Sequence, residues 1–309
     1  MIELAVILLR LVQYSAASVL MGSALFFVYA LPARGPGSAV ELGWAKPLLV
    51  GAATVLVIAT WLGLLAQTAV LAGSLADALT AEALNAVVTQ MDLGKAALAR
   101  SVFALAAAIY ALALPRGRAL WLGVGGFGTF ACATFGWMGH GAATDGAGHA
   151  LHLAADVLHA LAGALWLGAL TAFAALAAPR GQDRNRVEAT AAALARFSPL
   201  GIALVAMLAA TGLVNAWFLI GWDVREALHS AYGQLLTAKL VLFAAMLALA
   251  ALHRQRSVPA LVAILSARAP PQRGALASLR RSLAAEALLG FTVLAVVSWL
   301  GTQAPPGPT

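Results

Sequence analysis

The sequence predicts an all-α fold, a polytopic integral membrane bundle of about eight transmembrane helices with both termini outside. Three observations predict it. The 309 residues are 62% hydrophobic and only 10% charged, with a mean hydropathy of +0.90. The apolar residues are gathered in runs of spanning length, and Lys and Arg lie mostly in alternate connecting loops. A soluble chain of this size would need far more polar surface, so lipid is expected to be its main solvent.

Eight apolar runs are long enough to cross the hydrocarbon core, which takes about 20 helical residues. All are expected to be helices, because unpaired backbone groups cannot face lipid and the alternating strands of a β-barrel are not seen in the sequence. The first run is expected to be a retained span, since it is longer than a secretory signal and Glu3 replaces the usual basic residues. The predicted spans are Leu4–Leu31, Pro47–Ala72, Ala96–Leu114, Ala119–Met138, Ala150–Ala178, Phe197–Trp222, Leu235–Leu252 and Leu283–Gly301.

The distribution of Lys and Arg predicts the orientation. Fourteen of these residues lie in the loops after odd-numbered spans, and five lie on the opposite side. Because positive residues are retained in the cytoplasm, the odd-numbered loops are expected there and both termini outside. The same bias explains the net charge of +7 without a nucleic-acid partner. With no linker long enough to separate two domains, residues 1–309 are interpreted as one transmembrane domain.

A cluster of histidines between the fourth and fifth spans is the strongest candidate for chemistry. Four of the six histidines fall between positions 138 and 168. The predicted metal-site residues are His140, His149, His152, Asp156 and His159. The last four are spaced three, four and three residues apart, so on a helix starting near His149 they occupy one arc of about 80°. This stripe would descend about 15 Å from the external surface, where imidazole and carboxylate could ligate copper, zinc, iron or nickel.

Soft sulfur ligands could continue the path and would favour Cu(I) over harder ions. Cys132 is expected about 12 Å deeper than His140 on the fourth span, near the depth of His159. As the single cysteine it excludes an internal disulfide and a multi-cysteine metal cage. The other possible path residues are Met21, Met138, Met207 and Met246.

Purely structural roles stay open for all of these residues. His149 and His152 could be interfacial histidines, and Asp156 with His159 could be a buried pair that only fixes helix packing. Cysteine and methionine are more often core packing residues than ligands. Against the packing role of Asp156 and His159, ionisable groups inside a membrane are usually functional.

Several short motifs resemble the CopD family of bacterial copper-resistance membrane proteins. They are Gly139-His140, Ala155-Asp156 with His159, the run Ala164 to Gly168, Thr211-Gly212 with Asn215, Tyr232 to Leu236 with Lys239, and the stretch Glu286 to Thr302. The resemblance covers most of the chain from about Gly139 onward. It implies an eight-span bacterial inner-membrane protein that handles copper, often beside a periplasmic copper-binding protein called CopC.

The resemblance also implies roles for individual residues. His140, Asp156 and His159 would be residues of the metal path, with Trp166, Gly168 and Asn215 in supporting positions. The family is thought to move copper inward. No CopC-like domain is fused to this chain, so such a carrier is expected to be a separate protein.

Three functions are consistent with the sequence. The first is translocation of copper, as Cu(I) or Cu(II), from periplasm to cytoplasm. The second is a b-type haem electron carrier, which needs histidines on facing spans, whereas here they are concentrated at one membrane face. The third is copper delivery or sensing without transport. An enzyme is not expected, because zinc-protease and serine-hydrolase motifs are not present.

We predict that both termini face the periplasm and that the loop from His253 to Ser282 is cytoplasmic. The reason is the excess of Lys and Arg in the odd-numbered loops. Alkaline phosphatase and green fluorescent protein fused in turn to the C-terminus measure its side, since the phosphatase is active only outside and the fluorescent protein only inside. A fluorescent C-terminal fusion with an inactive phosphatase would reverse the assignment.

Overall fold

A computed structural model describes residues 1–31, 42–144, 146–178, 184–221, 224–252, 255 and 273–306. In these ranges it has eight helices long and apolar enough to span a membrane and no strand, which confirms the all-α bundle. Numbered one to eight, the spans are Ile2–Tyr29, Ala45–Ala72, Asp92–Ala113, Arg118–Met138, Gly146–Leu176, Arg186–Ile220, Ala231–Leu252 and Leu279–Leu300. Trp222, His253 and most of the predicted loop up to Ser282 lie outside the described residues.

Two helices begin well before the predicted start of their spans. The helix of span six is Arg184–Ile220 and that of span eight is Arg273–Leu300, whereas the apolar runs begin at Phe197 and Leu283. At 37 residues the first is about 55 Å long, so it extends beyond a hydrocarbon core of about 30 Å. Its first turns are rich in Ala and Arg, which are strong helix formers, and the arginines keep the hydropathy low.

A pair of short helices, Leu75–Ala78 and Ala81–Gln90, joins spans two and three and was not predicted. Each begins at a hydroxyl cap: Ser74 Oγ accepts the backbone N–H of Asp77, and Thr80 Oγ1 accepts that of Ala83. Isolated helices this short are marginal in water, so their caps and their packing on span three stabilise them.

Span five is the central helix of the bundle, since it contacts spans one, four, six and eight. Span one meets it at a wide π turn, Val19–Ser23. There a Cβ built on Gly168 would lie 2.5 Å from the Gly22 Cα, and Ser23 Oγ donates a hydrogen bond of 2.8 Å to the Gly168 carbonyl. Such close backbone approach requires glycine on both helices and fixes span five against the N-terminal half.

The connection between spans four and five packs against the helix of span five. It consists of short 3-10 turns, Thr134–Met138, His140–Ala143 and Gly146–Gly148. The helix that carries the histidine stripe then begins at His149, as the sequence predicts.

Candidate metal site along span five

The four stripe residues lie on one continuous helix, His149–Leu176. Ten residues separate the first from the last, which corresponds to about 15 Å along the helix axis. The polar partners of the four fall into three groups along the helix, so the stripe divides into an outer, a middle and an inner position.

The outer position consists of two histidines joined through Thr144. His149 is half-buried, and its Nδ1 lies 2.9 Å from the Thr144 carbonyl oxygen, to which it donates. His152 is completely buried, with its Nδ1 2.7 Å from the Thr144 hydroxyl. Its ring stacks on Phe218 of span six at 4.7 Å and 8° between planes. An exposed interfacial role, open for both residues in the sequence, therefore does not apply to His152.

The middle position is Asp156, which lies against a glycine-rich turn. A Cβ on Gly139 would lie 2.7 Å from Asp156 Oδ2, and one on Gly141 would lie 3.0 Å from the same oxygen. From span six the Asn215 side-chain amide donates to Asp156 Oδ1 at 3.1 Å. The chain around His140 can approach the carboxylate this closely only because glycine stands on both sides.

The inner position is His159, which lies between spans six and seven. The Thr211 hydroxyl donates to the Met207 carbonyl at 2.6 Å, so it accepts the proton of His159 Nδ1 at 2.9 Å. The other ring nitrogen, Nε2, lies 3.4 Å from the Lys239 ammonium and accepts from it. Nε2 is therefore the unprotonated ring nitrogen, and its lone pair faces Lys239.

Lys239 belongs to one of the motifs that resemble the CopD family but was not among the predicted site residues, and the structure places its ammonium beside His159. It follows the start of span seven by eight residues, about 12 Å, which matches the depth of His159 on span five. A lysine this far inside an apolar run is itself a signal of function. Its pairing with His159 depends on the packing of distant helices, which one sequence does not reveal.

No preformed metal cage is seen in the described part of the chain, where no three His, Cys, Asp or Glu side chains converge on one point. The side chain of His140 is not among those described. The arrangement is therefore a series of separate donors with one or two ligands at each level.

Cys132 lies close to this series. Its Sγ is 4.0 Å from the carbonyl oxygen of Ala160, the residue after His159, and the side chain is buried. The depth expected for Cys132 agrees with this position. Cys132 stays a candidate soft ligand beside the backbone of span five.

The four methionines are scattered. Met207 is 40% exposed, and Met138 lines a cavity beside Arg10 rather than the stripe. Met21 is buried with its backbone against Gly128, and Met246 is buried at the cytoplasmic half of the bundle by the predicted orientation. Met21 and Met246 pack in two different hydrophobic clusters.

The two predicted supporting residues of span five lie deeper than the stripe. Trp166 is buried, and its indole N–H donates to Glu286 Oε1 of span eight at 3.2 Å. Gly168 is the contact point with span one. Both residues connect the helix of the stripe to other spans.

Comparison with known proteins places both halves of the chain in one group. Residues 1–150 match the family described as Copper resistance protein D-like, N-terminal domain, and residues 191–300 match Copper resistance protein D. Copper resistance protein D of Pseudomonas syringae pv. tomato is 31% identical over 303 residues, 97% of this chain and 96% of that protein. Copper transport protein CutJ of Bacillus subtilis (strain 168) is 29% identical over 154 residues, 50% of this chain and 26% of that protein. No solved structure matches this chain.

Proposed function

Because this chain belongs to the copper resistance protein D family, we propose that it carries copper ions across a bacterial inner membrane, from the periplasm toward the cytoplasm. The observation that carries the proposal is the series of donors along span five, where Asp156 and His159 follow one another at one-turn spacing. Both have polar partners from span six inside the bundle. Placing such polar and ionisable side chains inside a membrane costs free energy, so their presence indicates a function such as binding an ion.

Capture would occur at the outer position. His149 is half-buried and close to the predicted surface, and His140 lies in the turn beside Asp156. Imidazole binds copper in either oxidation state, so these residues could accept Cu(I) or Cu(II) from a separate periplasmic carrier of the CopC type. His152, buried behind them, would receive the ion next.

Transfer inward would use Asp156 and His159. The carboxylate supplies a negative charge that lowers the cost of a cation at this depth, and the Nε2 lone pair of His159 supplies a ligand. The Lys239 ammonium lies 3.4 Å from Nε2, where a bound copper ion would have to be. Arrival of copper would require Lys239 to move away, so the ion and the lysine would alternate beside His159.

Release would follow the same helix. Trp166 is seven residues below His159, about 10 Å, and its partner Glu286 is the next acidic side chain in that direction. We place the exit between spans five and eight, past this pair. The chemistry required is ligand exchange alone, so the proposed role is that of a transporter and not of an enzyme.

The test is copper accumulation in bacteria that lack copper efflux. Cells expressing the protein are expected to gain copper and become more copper-sensitive, while Asp156→Asn loses most of the gain because it keeps the size but removes the charge. Asp77→Asn, at an exposed residue outside the spans, is the matched control and should behave as wild type. Total cell copper at equal protein level is the measurement.

Two outcomes of that experiment would contradict the account. Unchanged accumulation in the Asp156→Asn variant would make Asp156 a packing residue. Lower copper in cells with the wild-type protein than in empty cells would indicate export.

A second prediction concerns Lys239. Since its ammonium competes with a cation at His159, Lys239→Met should bind copper more tightly than wild type, by about tenfold or more. Two unit charges about 4 Å apart repel by about 4 kcal/mol at an effective dielectric constant near 20. Removing about a third of that repulsion already lowers the copper Kd about tenfold. The measurement is copper titration of the purified protein by calorimetry.

The control for this titration is Lys95→Met, which removes an exposed lysine near the membrane surface and should leave copper affinity unchanged. Equal affinity of wild type and Lys239→Met would show that the ion does not bind beside His159.

A further inference from the structure

The N-terminal half of the bundle holds a second polar cluster, which the copper path does not use. At its centre Arg100 of span three is completely buried. Its Nε donates to Thr134 Oγ1 at 2.9 Å and its Nη1 to Gln13 Oε1 at 2.8 Å. The ring of Phe135 lies 3.9 Å from the guanidinium carbon. The third nitrogen, Nη2, is buried and has no hydrogen-bond partner among the described residues.

The charge of Arg100 is not balanced by the side chains that hold it. Its contacts are a hydroxyl, an amide and an aromatic ring, and none is a carboxylate. A second guanidinium, that of Arg10 on span one, donates to the Gly301 carbonyl and forms no ion pair with the acidic side chains that the structure describes. Two cations at this depth repel one another and are costly in a medium of low dielectric constant. Groups of this kind usually pair with an opposite charge.

A cavity joins the two arginines. Its narrow inner part, about 10 Å³, is lined by Arg10, Arg100 and three uncharged polar residues. Its outer part, about 240 Å³, shares Arg10 and Met138 with the inner part and reaches Gly139 in the turn after span four. The three uncharged polar lining residues are Gln13, Thr60 and Gln67.

Asp92 is the one acidic side chain on the wall of the outer part, and it pairs with Lys95 at 3.0 Å, where both are mostly exposed. The deeper wall is therefore positive and carries N–H donors from guanidinium and amide groups. The volume next to Arg100 is about that needed for a single water molecule. These properties suit a small anion and exclude a large one.

We propose that this cavity binds a small inorganic anion, of which chloride is the representative, between the guanidinium groups of Arg10 and Arg100. The free N–H of Arg100 Nη2 and the amide of Gln67 would donate to it. The anion supplies the negative charge that the surrounding side chains lack. The outer part of the cavity adjoins the Asp156 turn at Gly139, but none of the proposed anion donors belongs to the copper path.

The test is binding of radioactive chloride to the full-length protein in detergent, measured by scintillation proximity. Wild type should bind chloride saturably, and unlabelled bromide should displace it whereas gluconate, which is too large for the inner cavity, should not. Arg10→Met and Gln67→Leu should each weaken binding by about tenfold or more, because each removes a donor. Arg116→Met is the control, since Arg116 is exposed and lies away from the cavity.

Arg100→Met is the most direct variant. Because the buried Arg100 also connects three spans, its loss could prevent folding, so Arg100→Lys is tested beside it. The Arg100→Lys variant keeps the positive charge but loses the planar set of guanidinium N–H donors. It should therefore fold and bind chloride more weakly than wild type. If wild type shows no saturable chloride binding, or if Arg10→Met, Gln67→Leu and Arg100→Lys all bind as wild type does, the proposal is wrong. Copper accumulation by these variants is a separate readout, which this result does not determine.

Discussion

Inside the hydrocarbon core a polar side chain must find its partner within the protein, because lipid offers no hydrogen bond. That constraint organises the whole bundle. The Asp156 carboxylate meets Asn215 and a glycine turn, the His159 ring meets Thr211 and Lys239, and Trp166 meets Glu286. Each pair joins span five to another span, so the residues proposed to handle copper also determine how the helices pack.

The sites draw on both halves of the chain. Gly139 and Gly141, which allow the backbone to approach Asp156, lie in the part that matches the N-terminal family. The partners Thr211, Asn215 and Lys239 lie in the part that matches Copper resistance protein D. Residues 151–190, with most of span five, lie between the two matched ranges. Close contact of Gly22 with Gly168 connects the halves, and substitution there would shift the stripe relative to its partners.

Composition and periodicity predicted the features that are local in sequence. Spans follow from apolar runs, and the one-sided arrangement of His149, His152, Asp156 and His159 follows from helical spacing alone. The partners could not be predicted in this way, because His159 reaches Thr211 and Lys239 across 52 and 80 residues. For the same reason the burial of His152 under Phe218 was not expected. Helix starts were missed where charged helix formers continue a span beyond the membrane, as at Arg184.

The most direct test of the central claim is copper flux into liposomes that contain the purified protein. Radioactive copper should enter wild-type proteoliposomes at a rate that saturates with copper concentration. His159→Ala should reduce that rate to the level of empty liposomes. His229→Ala, at an exposed residue between spans six and seven, should leave the rate unchanged. Wild-type protein that binds copper but gives no flux above empty liposomes would contradict transport and indicate a delivery or sensing role.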